Sequence, residues 1–148
     1  MNQLARAIKE ASVNHLHQLD KSGQPYILHC LHVMNTVKSK EPEVLQAAVM
    51  HDMMEDCEVT VQDLTDMDFS GRVINALKCL THESGESYTD YILRVATNKD
   101  AINIKLADLR HNSDITRLKG VTEKDLKRME KYHKAYIFLE EKLKTWED

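Results

Sequence analysis

The chain has 148 residues, 20 Lys or Arg against 24 Asp or Glu, and a formal charge of −4. At this length about 68–70% of the unfolded chain's surface is buried on folding, so one core forms without disulfide or metal staples, and any metal present serves chemistry. Mild acidity argues against nucleic acid as a partner, because phosphate-backbone binding needs clustered excess Lys and Arg.

No apolar run approaches the roughly 18 residues of a membrane span, and Arg6, Lys9 and Glu10 stand where a signal peptide would be apolar. A soluble, cytoplasmic protein without membrane partners is expected. Cys30, Cys57 and Cys79 are odd in number and lack a CxxC spacing, which suggests neither a disulfide framework nor a thiolate zinc site.

Four Gly and two Pro leave few turns, which predicts mostly helix. Leu4, Ile8, Ala11, His15 or Leu16, and Leu19 recur at three- and four-residue steps and predict an amphipathic helix over 2–19, stopped by Asp20-Lys21-Ser22-Gly23. Pro25 opens a second helix through Tyr26, His29, Val33 and Val37. Glu41-Pro42 opens a third that runs to Asp56 and is apolar nearly all round. Val59-Thr60 with Asp63 marks another start, and Ser70-Gly71 leads into Val73, Ile74, Leu77 and Leu80.

Beyond a loop at Gly85, Tyr88, Ile92 and Val95 define a short helix, and Ala101 to about Asn112 another. Leu126, Met129, Tyr132, Tyr136, Leu139, Leu143 and Trp146 define a terminal helix over about 122–146. Its stripe either caps its own domain or forms the seam of a homo-oligomer. No strand pattern is present, so the fold class is all-α: one domain over 1–148, a compact bundle of seven or more helices.

The third helix poses a physical problem, because an interior segment carries His51, Asp52, Glu55 and Asp56. Burying one uncompensated charge costs several kcal/mol, so something positive must sit against these carboxylates. In a continuous helix the i,i+4 pairs His51/Glu55 and Asp52/Asp56 form a two-by-two patch on one face. The problem recurs in the apolar run 101–109, where Lys105, Asp108 and then Asn112 form a polar stripe that is by itself no more than a buried Lys–Asp pair. His29 lies among Ile27, Leu28, Leu31 and Val33, where a satisfied core histidine is equally at home. Together, His29, His51-Asp52 and Asp108 supply two imidazoles and two carboxylates, a set that neutralises a divalent cation. Mixed N/O ligation without thiolate suits Mn²⁺, Fe²⁺, Co²⁺ or Zn²⁺ better than Ca²⁺ or Mg²⁺.

These residues resemble the H…HD…D pattern of the HD-domain metal-dependent phosphohydrolases. Lys21-Ser22-Gly23-x-Pro25-Tyr26-Ile27-x-His29, Ala47-Ala48-Val49-Met50-His51-Asp52-x-x-Glu55-Asp56, Leu80-Thr81 and Lys105-Leu106-Ala107-Asp108-x-x-x-Asn112 are similar, in order, to the hydrolase domain of the RelA/SpoT alarmone enzymes. The resemblance covers about 1–140 and is nearest to the small stand-alone hydrolases. It implies an HD-domain helical bundle holding a single Mn²⁺ through His29, His51, Asp52 and Asp108, with Glu55 and Asp56 as catalytic residues shaping the water nucleophile and proton transfer. The implied reaction removes the 3′-pyrophosphate of guanosine tetra- or pentaphosphate and gives GDP or GTP plus pyrophosphate.

Substrate phosphates need local cations. Lys21 beside the Ser22-Gly23 turn, Arg94 and Lys105 are candidates, and Tyr26 and Asn112 lie in motifs whose counterparts imply substrate contact. The chain departs from the resemblance at Asp20, where a basic residue is usual, and at Ile115, where a polar one is common. Two other readings use the same residues: a nucleotidase or NADPH phosphatase releasing orthophosphate, and a non-catalytic nucleotide sensor.

Overall fold

The computed structural model describes residues 2–147, and most of its helices start where sequence chemistry supplies a cap or a first-turn proline, α2 and α4 being the exceptions. Helix α1 (Gln3–Asn14) is capped by Asn2, whose side chain accepts from the Leu4 and Ala5 amides. Pro42 occupies the first turn of α3 (Pro42–Val49), where its missing N–H costs nothing. Thr60 with Asp63 and Thr122 with Asp125 close capping boxes at α5 (Val61–Asp66) and α9 (Glu123–Lys144). Ser70, Ser87 and Asn98 cap α6 (Gly71–Leu80), α7 (Tyr88–Val95) and α8 (Lys99–Asn112). Helices α2 (Ile27–Thr36) and α4 (Met53–Asp56) and a 3₁₀ turn at Ile115–Arg117 complete the set.

The all-α class holds: the described residues form nine α-helices around one apolar core and no β-strand. Helix α3 packs against α1, α2 and α6, and α8 against α9, α2, α6 and α3, so these two are the central rods. Helix α8 buries Ala101, Ile102, Ile104, Leu106, Ala107 and Leu109, and with them Asp108. The terminal helix caps its own bundle through fully buried Leu139 and through Ala135, while Leu126, at the start of the expected stripe, stands 54% exposed. No described helix is long and apolar enough to cross a membrane, and the three cysteines are free.

Two expected helices are corrected. The first ends at Asn14 rather than near Leu19, because Leu16 and Leu19 point to solvent and the chain turns back on itself. The Tyr26 amide donates to the Gln18 carbonyl at 2.9 Å, Leu19 bridges Pro25, and Gly23 takes φ +83°, a left-handed conformation that favours glycine. The expected third helix is broken. Met50 and Asp52 take ψ values of 6° and 2°, far from the helical value, and a four-residue helix restarts at Met53. The i,i+4 patch of a continuous helix therefore does not form.

Candidate metal centre and active site

That break positions the site. Successive residues of an unbroken helix diverge by about 100°, yet here His51 Nε2 and Asp52 Oδ2 lie 2.9 Å apart. The His51 Nδ1–H donates to the Ala48 carbonyl at 2.8 Å, the acceptor that an unbroken helix reserves for the Asp52 amide. A carbonyl only accepts, so the proton sits on Nδ1 and the Nε2 of a neutral ring turns its lone pair inward. His29 comes from the first turn of α2 and Asp108 from the middle of α8, and their Nε2 and Oδ1 lie 2.9 Å apart.

One donor atom from each of His29, His51, Asp52 and Asp108 lies within 4.8 Å of the others. Donors at about 2.2 Å from one ion lie no more than about 4.4 Å apart, which this cluster matches to within a few tenths of an ångström. His51 Nε2 is buried without a hydrogen-bond partner, an orphaned polar atom at the centre of the cluster. These residues fit a divalent cation.

Each donor is held from behind. His29 Nδ1 lies 2.7 Å from His111 Nδ1, and the two rings are nearly parallel. Burial and then the Arg117 charge press His111 down to about 4, so it is neutral and shares a single proton with His29 across this contact. Tyr26 donates its phenol proton to Asp52 Oδ2 at 2.5 Å. Lys105 takes Asp108 Oδ2 at 2.8 Å, and the Asn112 amide donates to Oδ1 at 3.0 Å. Such outer partners fix ligand orientation and tautomer.

The electrostatics follow. Burial opposes ionisation of Asp108, but the Lys105 charge and the imidazoles of His29 and His51 beside it outweigh burial and hold the carboxyl well below its ordinary range. Burial also opposes charge on His51, yet Asp52 and Asp108 beside it hold its proton well above the ordinary imidazole range. A proton here balances charge that a divalent ion balances better.

Glu55 lines the second hollow beside Asp52, whereas Asp56 lines neither hollow and senses the cluster through the Asp52 charge. The His82 amide donates to Glu55 Oε1 at 2.7 Å, and the Gln18 amide to Asp56 Oδ2 at 3.1 Å. Crowding by protein atoms and the Asp52 charge raise both carboxyls above their ordinary values.

Two hollows flank the cluster. One, of about 330 Å³, is lined by Lys21, Tyr26, His29, Asn112, Arg117 and Arg128 among others. The second, of about 410 Å³, is lined by Asp52, Glu55, His82, Lys105 and Lys131 among others, and it shares Asn112 and Tyr132 with the first. Lys21, Tyr26, Lys105 and Asn112 are thus brought to the site. Arg94 is not: its guanidinium is taken by Glu86 at 2.8 Å, the Thr81 carbonyl at 2.6 Å and the Lys78 carbonyl at 2.5 Å, so it braces the loop before α7 instead of lining either hollow. Asp20 is a brace as well, accepting from the Ser22 and Gln24 amides and pairing with Arg117 at 3.3 Å. Arg117, after α8, lines the same hollow as Asp20. Ile115 is 45% exposed at the 3₁₀ turn and is absent from both linings.

Sequence reasoning passed over His111, although it stands one turn beyond Asp108, a spacing that places both on one face of α8. Arg117 and Arg128 carry no local signal; tertiary structure alone brings them to the hollow.

The helical bundle and its converging His, His-Asp and Asp donors define a protein of the HD-domain class. No protein-family model matches the chain. It is 30% identical over 120 residues, 74% of its length, to a guanosine-3′,5′-bis(diphosphate) 3′-pyrophosphohydrolase of Aquifex aeolicus. It is 36% identical over 124 residues, 76% of its length, to a GTP pyrophosphokinase of Streptomyces coelicolor. The chain spans 17% and 14% of these two relatives. In fold it matches the structure of a metazoan SpoT ortholog described as hydrolysing ppGpp, with a TM-score of 0.78 and 22% identity over 97% of this chain and 93% of that one. The chain is an HD-domain protein, a relative of the ppGpp 3′-pyrophosphohydrolases.

Proposed function

We propose that the chain is a metal-dependent phosphohydrolase that removes the 3′-pyrophosphate of guanosine tetra- or pentaphosphate, leaving GDP or GTP and pyrophosphate. The observation that carries this reading is the His29, His51, Asp52 and Asp108 cluster with its orphaned His51 nitrogen, set between two hollows of mixed charge that place Lys21, Arg117 and Arg128 on one side and Lys105 and Lys131 on the other. A divalent ion held by these four residues, Mn²⁺ first and Fe²⁺, Co²⁺ or Zn²⁺ by the same donors, supplies hydroxide near neutral pH and polarises a phosphoryl oxygen.

The remaining work falls to the chain. Glu55 and Asp56, raised toward neutrality, exchange protons with the attacking water and the leaving group. Lys21, Tyr26 and Asn112 on one side and Lys105 on the other line the surface that holds a phosphorylated nucleotide across the cluster, with Arg117 and Arg128 adding charge. Asp20, engaged by its own turn and by Arg117, leaves the nucleoside to these neighbours.

The test is product chromatography with metal-stripped protein and guanosine tetraphosphate, with and without Mn²⁺. GDP and pyrophosphate appearing on addition of Mn²⁺ support the reading. Orthophosphate from a deoxynucleotide or NADPH, with the tetraphosphate untouched, replaces it with the phosphatase reading. Nucleotide binding without turnover replaces it with a sensor.

A further inference from the structure

Gln18 stands in the turn after α1 and touches two groups of opposite exposure. Its Nε2 donates to Asp56 Oδ2 at 3.1 Å across 38 positions of sequence, and its Oε1 lies 2.7 Å from His15 Nδ1. These contacts admit one arrangement. A carboxylate accepts, so the amide nitrogen must face Asp56; the amide oxygen then faces His15, which must carry its proton on Nδ1. His15 is 1% exposed, its ring packed at 5.2 Å from the Tyr26 ring, with Cys57 Sγ 3.4 Å from the same Nδ1. A one-way chain of donors thus runs from a buried imidazole to a carboxylate at the solvent edge.

We infer that His15 and Gln18 are positioning residues that hold the Asp56 carboxylate in one rotamer, within reach of the Asp52 charge. The inference rests on the role in proton transfer given to Asp56 above. An exposed aspartate on the four-residue helix α4 otherwise samples several staggered rotamers. Proton transfer requires its oxygen within about 2.6–3.2 Å of the group it serves. Anchoring to His15 meets that demand, because the imidazole is itself fixed by packing. Tyr26 links the same ring to the metal ligands, since its ring packs at a tilt against His15 and its hydroxyl donates to Asp52.

Gln18→Leu keeps most of the side chain's bulk and removes both bonds at a partly exposed turn position. Gln18 also lines the first hollow, so KM shifts as well, but with Mn²⁺ and guanosine tetraphosphate kcat itself is expected to fall about five- to tenfold. In an Asp56→Asn background the same substitution lowers kcat no further. A kcat loss that multiplies equally in both backgrounds, or an effect confined to KM, overturns the inference. A second arm needs no turnover: in crystal structures of the metal-free proteins, the Asp56 carboxylate leaves its parent position in Gln18→Leu. An unmoved carboxylate overturns the inference. If the parent protein fails to hydrolyse the tetraphosphate, the proposed function falls while this second arm still decides the positioning.

Discussion

Lys105 and Asp108 divide one carboxylate between stability and chemistry: Lys105 Nζ takes Oδ2 at 2.8 Å, leaving Oδ1 to face His29 at 2.9 Å and His51 at 3.4 Å. Asp108 is buried and the Lys105 side chain is only 13% exposed, so the pair is poorly screened by solvent. Removing the lysine strands a buried charge. Lys105→Met should destabilise the metal-free protein by about 3–5 kcal/mol in urea unfolding. Adding Mn²⁺ should recover part of that loss; a penalty below about 1 kcal/mol would mean that the histidine protons already balance Asp108.

Ligation and proton transfer separate by substitution. Asp52→Ala and Asp108→Ala should emerge from desalting with under about a tenth of the parent's metal, as each deletes a charged donor. Glu55→Gln should keep its metal and lose about a hundredfold or more in turnover. Elemental analysis beside a rate assay tests both, and a fully metallated Asp108→Ala protein would contradict the ligand set.

Metal uptake should release a proton. The pKa of His51 is raised in the metal-free cluster, so its proton persists above the ordinary imidazole range and must leave before Nε2 can ligate. Apparent affinity therefore rises with pH, by about tenfold per unit for one proton, until pH passes the His51 value, and levels above it. Calorimetric titration with Mn²⁺ in two buffers of different ionisation enthalpy measures the release. Equal heats in both would show that no proton leaves.

The terminal helix offers a stability test. Leu139 is fully buried, so Leu139→Ala should cost about 2–5 kcal/mol. Leu126 is 54% exposed, and Leu126→Ala should stay within about 0.5 kcal/mol. A large cost at Leu126 that depends on protein concentration would instead identify a seam between two copies.

The donors were legible because they are conspicuous: His29, His51, Asp52 and Asp108 interrupt segments that are otherwise apolar, and buried charge demands a partner. Helix starts were legible at Thr60, Ser70, Asn98 and Thr122, where capping chemistry is local. The break at Met50–Asp52 was not, because Val49-Met50-His51-Asp52-Met53 contains neither Gly nor Pro. It rests on the His51 ring taking the Ala48 carbonyl. Leu16 and Leu19 carried the apolar period past the true end of α1, since periodicity does not distinguish a buried leucine from an exposed one. Arg94 looked free for phosphate because its partner Glu86 sits across a loop whose path has no sequence signature.

The hollows on either side of the cluster share Asn112 and Tyr132 and each takes one cation from α9, Arg128 and Lys131, but their other cations come from different elements. Lys21 and Arg117 lie in loops that flank α2 and α9, whereas Lys105 belongs to a central rod of the core. Loop residues can be exchanged without repacking the bundle; Lys105 cannot, because Asp108 depends on it. Evolution is therefore free to retune one end of the ligand while the other stays fixed, so relatives built on this plan should differ first in what they select and last in the bond they cut.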